Sequence, residues 1–196
     1  MARAPRAPRV IAGSARGRRL LVPHGLDVRP TKDVVREAVF SALDARGRVV
    51  DAAVLDCYAG SGALAIEALS RGARSAVLVE SDTRAASAIE QNLTLLGFDD
   101  RARLLRGDVR RVLGGPPPRE APFGLVFADP PYAYRDGEID SFLDAIVHSR
   151  WCAPDVLVVL ERPATADVEA PSGFGIGWER RFGDTLVVFL ERAEGV

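Results

Sequence analysis

The most specific chemistry in the chain is carried by the tetrapeptide Asp129-Pro130-Pro131-Tyr132. Two consecutive prolines fix φ and remove two N–H donors, leaving a stiff turn whose carbonyls remain available. The Asp129 carboxylate and the Pro130 carbonyl then form two acceptors suited to an exocyclic NH2 group on a nucleobase. Holding the amine this way helps tilt its nitrogen lone pair toward an electrophilic methyl. Tyr132 is able to stack on the base, a contact worth ~1–3 kcal/mol. An Asp-Pro turn can also merely stop a strand. The position of this one, after two cofactor-type motifs in the right order, argues for more.

The first of those motifs is Asp56-Cys57-Tyr58-Ala59-Gly60-Ser61-Gly62-Ala63. Gly60 and Gly62 let the backbone turn sharply and approach a ligand, and the helix that follows offers free N–H groups. Gly60-x-Gly62-x-x-Ala65 also fits the dinucleotide fingerprint, and Glu80 lies close to the ~20-residue offset expected of a ribose contact. Together they indicate an adenosine-containing cofactor without choosing between NAD and S-adenosylmethionine. Two acids favour the latter. Asp56 sits where it can meet the ammonium of an amino-acid moiety and where a diphosphate would be repelled. Asp108 follows the third strand, where it could accept the adenine amino group, although its position is equally that of a helix N-cap.

These residues need a scaffold that places them at strand ends. From Ala52 onward short apolar strands alternate with helices, the pattern of a parallel sheet covered on both faces. Strands are predicted at Ala53–Cys57, Ser75–Glu80, Arg103–Arg106, Leu125–Ala128 and Val156–Glu161. Helices are predicted at Ala63–Arg71, Thr83–Leu96, Val109–Leu113 and Ile139–Val147. Residues 114–122, rich in Gly and Pro, read as a loop. Ile176–Phe182 and Thr185–Leu190 enclose Gly183-Asp184, a hairpin signal. In such sheets ligands bind outside the carboxyl ends of the strands, near the point where strand order reverses. Ahead of the sheet, Val10–Ile11 and Leu20–Val22 flank a Gly- and Arg-rich stretch and suggest a small ribbon. Thr31 is a plausible cap for a helix with apolar residues at 35, 38, 39, 42 and 43. Residues 1–45 thus form an extension to a main domain at 46–196. The first nine residues read as a disordered lead-in.

The chain has 196 residues and a formal net charge of −1, unevenly distributed. Residues 1–36 hold nine basic groups against two acids, a net +7. The remaining 160 hold 17 basic and 25 acidic groups, a net −8. A basic arm on an acidic body points to nucleic acid, against the plainer reading of a solvated tail. No apolar run approaches the ~18 residues of a membrane span, and the start lacks a signal-peptide core, so the expected setting is the cytosol. Two cysteines, Cys57 and Cys152, and two histidines, His24 and His148, do not make a disulfide framework or a four-ligand zinc site. No metal is expected.

The motifs resemble those of amino-group methyltransferases of the class I fold. Arg29-Pro30-Thr31-Lys32-Asp33-Val34-Val35-Arg36-Glu37, residues 56–64 and Glu67-Ala68-Leu69-Ser70-Arg71-Gly72-Ala73 are similar to the RsmD family, which methylates guanine N2 in bacterial small-subunit ribosomal RNA. The first of these stretches is the family-specific part. The similarity runs from Arg9 to the terminal hairpin. It implies an α/β fold of the Rossmann-like, S-adenosylmethionine-dependent class, with a mostly parallel seven-stranded sheet ending in an antiparallel hairpin. It places Asp56, Ala59, Gly60 and Gly62 around the methionine moiety, Glu80 on the ribose and Asp108 near the adenine. Asp129, Pro130, Pro131 and Tyr132 come to the target amine. Thr31 and Arg36 belong to a lid over the cofactor, although by sequence alone Arg36 is an ordinary helix-surface residue. Ala65 stands where glycine is commoner and is small enough to keep the packing.

The implied reaction is direct methyl transfer to guanine N2 of 16S rRNA, with S-adenosylhomocysteine as product and no covalent nucleophile. An assembling small subunit is the expected partner and a monomer the default. The basic residues Arg3, Arg6, Arg9, Arg16, Arg18, Arg19 and Arg29 would contact RNA phosphates without reading sequence. Rival readings are a DNA amino-methyltransferase acting on adenine N6 or cytosine N4, a non-catalytic nucleic-acid-binding protein on the same fold, and a NAD-dependent oxidoreductase.

Overall fold

A computed structural model describes residues 7–23, 33–131 and 136–193. In chain order the elements are α1 (Asp33–Asp44), β1 (Ala53–Cys57), α2 (Ala63–Ser70), β2 (Ser75–Glu80), α3 (Thr83–Leu96) and β3 (Ala102–Arg106). These are followed by α4 (Val109–Leu113), β4 (Phe123–Ala128), α5 (Asp136–Val147), β5 (Cys152–Pro163), β6 (Phe174–Phe182) and β7 (Thr185–Arg192). The seven strands form one sheet of order β3-β2-β1-β4-β5-β7-β6. Only β7 runs against the others, pairing antiparallel with both β5 and β6. The order reverses between β1 and β4, so the carboxyl ends of these two neighbours flank the crevice where such sheets take ligands.

Side chains alternate along each strand between two apolar layers, as the period of two requires. On one face Val54, Leu78, Phe127 and Val159 pack under α1, α2 and α3, with Phe40 of α1 and Phe127 of β4 at 5.6 Å between ring centres. On the other, Leu55, Val79, Val126 and Leu160 pack against α4 and α5. Local chemistry sets the helix ends. Asp82 caps α3 by accepting from the Arg84 and Ala85 amides, and Gly97 ends it with φ of 70°. The predicted bounds of α3 and α4 coincide with those observed. β5 is longer than predicted at both ends, because Cys152 pairs with Phe123 of β4 at its start and the ladder with β7 continues as far as Pro163. α5 begins three residues early, carrying Gly137 in its first turn.

The ribbon before α1 is reduced to one antiparallel bridge, Arg9 to Arg19. It is nevertheless ordered from residue 8, since the Pro8 carbonyl accepts from the Leu20 amide at 2.9 Å. The disordered lead-in expected over the first nine residues is therefore corrected at Pro8 and Arg9. The ribbon does not stand away from the body. Val10, Ala15 and Leu20 are buried in the same layer as α2. The buried Glu67 of α2 accepts from the Ile11 and Ala12 amides at 2.7 and 3.0 Å. Ser70 at the end of α2 accepts from the Ser14 amide through its carbonyl and from the Ala15 amide through Oγ. The ribbon thus satisfies a carbonyl that the helix end leaves open.

Gly13 makes this approach possible. Its φ is +81°, and a Cβ there would lie 1.8 Å from the Ser70 carbonyl oxygen. Gly17 has the same φ with nothing within 4 Å. Gly17→Ala should therefore cost only left-handed strain, ~1–2 kcal/mol. Gly13→Ala should cost clearly more and release the ribbon. Chemical denaturation of both variants, with proteolysis of the ribbon, checks the ranking.

Candidate active site

β1 ends in Asp56-Cys57 and passes into a loop that the neighbouring strand holds. The Ala59 amide donates to the Val79 carbonyl at 3.0 Å, and Gly62 donates to the Ala59 carbonyl at 2.7 Å. Three loop residues have positive φ: Tyr58 at 64°, Gly60 at 56° and Gly62 at 77°. Tyr58 takes this conformation without being glycine, and its ring packs on Phe142 of α5 at 5.5 Å. Gly62 serves the protein side of the loop. A Cβ there would press on Leu78, Ile66 and Ile89 at 3.2–3.4 Å, so it permits close packing of α2 on the sheet.

Asp56 is buried, with Oδ2 accepting from the Ala65 amide at 3.1 Å. Burial pushes its carboxyl up to about 7. The Ala65 bond pulls the other way, while the negative charges of Asp129 and Glu80 add to the rise. Glu80 ends β2 with both oxygens engaged, Oε2 by the Gly60 amide and Oε1 by the Asp82 amide, each at 2.7 Å. The expected ribose-binding acid therefore also clamps the glycine loop. Asp129 follows β4 directly and is half-buried, Pro130 is buried and Pro131 exposed. Parallel pairing of Cys57 with Ala128 sets the Asp129 turn beside the glycine loop. The structure thus brings Asp56, Ala59, Gly60, Gly62, Glu80 and Asp129 to one edge.

This edge has a definite electrostatic preference. Asp129 and Glu80 both raise the proton affinity of Asp56, so a diphosphate would add to the repulsion, whereas a ligand bearing an ammonium and a sulfonium would relieve it. The donor set therefore suits S-adenosylmethionine better than NAD. Burial raises the Cys57 thiol well above its usual range and Cys152 to about 11, which leaves neither as a ready nucleophile. His148 is exposed, its Nδ1 3.0 Å from the Asp144 carbonyl. Among the described residues no group of three potential metal ligands occurs, and no helix is long and apolar enough to cross a membrane.

Other predicted residues stand differently. Asp108 caps α4, accepting from the Arg111 amide at 3.1 Å, which is its plainer reading. Arg36 is corrected: it is fully buried rather than on the helix surface. Its guanidinium donates to the Arg9 carbonyl and, at 3.0 Å, to Asp33, and lies 3.8 Å from Glu67. A buried arginine is tolerated here because Glu67 compensates its charge. Arg9, Arg16, Arg18 and Arg19 are exposed on the ribbon, Arg18 donating to the Leu95 carbonyl at 3.2 Å. Arg3, Arg6, Arg29, Thr31 and Tyr132 lie outside the described residues.

Asn92, which sequence reasoning passed over, ties the ribbon to the site. Fully buried in α3, it accepts from the Leu21 amide at 2.7 Å. Its Nδ2 donates to the Leu21 carbonyl at 3.0 Å and to the Ser61 carbonyl of the glycine loop at 3.3 Å. The available signal was an amide on the apolar stripe of α3, beside Ile89 and Leu93.

Residues 8–191 match the family described as conserved hypothetical protein 95. The chain belongs to this family, the RsmD family. Ribosomal RNA small subunit methyltransferase D of Escherichia coli (strain K12) is 38% identical over 153 residues, 78% of this chain and 73% of that protein. The protein of the same name from Haemophilus influenzae is 31% identical over 176 residues, 89% of each. The solved structure of yhhF from Escherichia coli has a TM-score of 0.81 at 34% identity, covering 94% of this chain and 97% of that one. The RsmD-family fold seen here is the class I methyltransferase fold expected from sequence.

The raised carboxyl of Asp56 makes stability pH-dependent with a definite sign. Between its ordinary 3.8 and about 7 the folded chain holds a proton that the unfolded chain has lost, so raising the pH destabilises the fold through that window. Asp56→Asn removes this contribution. Relative to wild type, the variant should gain ~2 kcal/mol on going from pH 5 to pH 8. Urea denaturation at both pH values checks it, and parallel curves for the two proteins would sink the assignment.

Proposed function

We propose that this protein transfers the methyl group of S-adenosylmethionine to the exocyclic N2 amine of a guanine in 16S rRNA, acting as a monomer on an assembling small ribosomal subunit. The observation that carries the reading is the Asp129-Pro130 turn at the end of β4, set beside a glycine loop and a carboxylate edge suited to a cationic cofactor. The names of the relatives support ribosomal RNA of the small subunit as substrate. The resemblance supplies guanine N2.

In this reading Asp56 neutralises the cofactor's ammonium, Glu80 accepts from the ribose hydroxyls, and Asp108 keeps its cap while accepting from the adenine amine. Ala59, Gly60 and Gly62 shape the loop around the methionine moiety. When bound, the cofactor supplies an electrophilic methyl and a neutral thioether leaving group. The Asp129 carboxylate and the Pro130 carbonyl hold the target amine and aim its lone pair, and Asp129 takes the proton that the alkylated nitrogen sheds. Tyr132 stacks on a base that has left its helix. Thr31 belongs to the cofactor side of the site. Arg36 acts from behind, fixing α1 and the ribbon through Glu67 and the Arg9 carbonyl.

The test is incubation with labelled S-adenosylmethionine and unmodified small subunits, free 16S rRNA or DNA, followed by digestion and mass spectrometry of the nucleosides. N2-methylguanosine from the subunits is the expected product. Asp129→Ala should lower turnover by at least a hundredfold with cofactor affinity unchanged, and wild-type turnover in that variant would remove the catalytic role.

The ribbon arginines make a separate prediction. Deleting residues 1–19 would remove the buried Val10 and Ala15, so point changes are the cleaner probe. Arg16→Gln with Arg19→Gln should weaken binding to rRNA and reduce the salt slope by about two. Unchanged slopes in a binding titration would exclude phosphate contacts by these residues.

A further inference from the structure

β5 is apolar from Val156 to Leu160 and then buries two consecutive charged residues, Glu161 at 5% exposure and Arg162 at 4%. A buried carboxyl group at the ligand edge of a parallel sheet is a candidate for function. Nothing in the reaction described above employs Glu161.

Its placement is specific. Leu157 and Val159 pack in the α2-side layer and Val156, Val158 and Leu160 in the α5-side layer. By alternation Glu161 emerges on the α2 side and Arg162 on the other. On β4, Leu125 and Phe127 belong to the α2 side, so Asp129 falls on the same side as Glu161. The parallel register pairs Phe127 with Val159 and Ala128 with Leu160, and the next residues in line are Asp129 and Glu161. Adjacent strands lie ~4.8 Å apart, so the ladder that ends at Ala128 and Leu160 delivers the two residues that follow to neighbouring strand ends. β1, β2 and β3, whose ends are assigned to the cofactor, all lie on the opposite side of β4.

We propose that Glu161 reads the target base by accepting the N1–H of guanine while Asp129 and Pro130 hold the N2 amine. This rests on the guanine-N2 reading above and supplies its selectivity. Guanine presents two neighbouring donors, N1–H and N2–H. Adenine and cytosine place a bare ring nitrogen next to their amine. A carboxylate oxygen accepts a hydrogen bond from the first arrangement and is repelled by the lone pair of the second. The Asp-Pro-Pro turn alone would accept any of the three amines, and the second carboxylate admits one.

The experiment uses the full chain, wild type and Glu161→Gln. With S-adenosylhomocysteine bound, guanosine and 2,6-diaminopurine riboside compete for the site, followed by saturation-transfer NMR. The second nucleoside keeps the N2 amine but has no proton on N1. Wild type should prefer guanosine at least tenfold. Glu161→Gln, whose amide can donate to the bare N1, should lose or reverse that preference while binding S-adenosylmethionine within twofold of wild type. A loss of structure cannot produce a reversal. Equal retention of the two nucleosides by wild type, or a guanosine preference that survives in Glu161→Gln, would overturn the proposal. So would loss of cofactor affinity in the variant, which would mark Glu161 as a support of the fold. Methylated adenosine or cytidine from wild-type reactions on small subunits would instead remove the guanine reading itself.

Discussion

Carboxylates gathered at neighbouring strand ends repel one another, and the functional edge of this protein is organised around that repulsion. Asp56 has its carboxyl held near 7 by burial, with Asp129 and Glu80 adding to the effect. Such an edge is poised for a cation. It also explains why the glycine loop is held by hydrogen bonds to carboxylate oxygens. Glu80 uses both of its oxygens on backbone amides, which lowers the cost of keeping a charge at that point and fixes Gly60 in place. The acids that would bind the cofactor thus also build the loop that receives it.

A second buried carboxylate does the equivalent work behind the site. Glu67 lies in α2, whose N-terminus follows the glycine loop. It accepts from the Ile11 and Ala12 amides and from Arg71 Nε at 2.8 Å, and sits 3.8 Å from Arg36 Nε. A carboxylate with that many donors is stable in the interior, where an isolated one would not be. Ribbon, α1 and α2 therefore meet at one side chain. Asn92 makes a parallel connection from α3, joining Leu21 of the ribbon segment to Ser61 of the loop. Through these contacts the basic ribbon and the cofactor loop belong to one packed layer, although they are far apart in sequence.

What the sequence disclosed follows from how local each determinant is. α3 and α4 were legible to the residue because Asp82, Gly97 and Asp108 are caps that act within a turn of themselves. The meeting of Asp56, Glu80 and Asp129 at one edge was legible because a parallel sheet delivers the carboxyl ends of its strands there, whatever the details of packing. Arg36 was misread because the compensating carboxylate is 31 positions away. The ordering of Pro8 and Arg9 depends on Leu20 and on α2. Glu161 escaped notice because its relation to Asp129 runs through the register of β4 on β5, which pairs Ala128 with Leu160 and makes the two acids next in line.

The charge asymmetry of the sequence acquires a physical sense in this arrangement. An edge rich in carboxylates attracts a sulfonium cofactor and repels a polyanion. An RNA substrate therefore needs compensating positive charge near enough to act yet clear of the cofactor. At physiological ionic strength fields decay over ~8 Å, so the two signs can coexist on one small domain if they occupy different surfaces. In the proposed reading the ribbon supplies that charge. It is seated on α2 by Glu67 and Ser70, and it exposes Arg16, Arg18 and Arg19 to solvent. Its anchorage matters as much as its charge. A floppy tail would pay conformational entropy for every phosphate it held, whereas a ribbon packed on the helix that follows the cofactor loop presents its guanidinium groups in a fixed relation to the reacting edge.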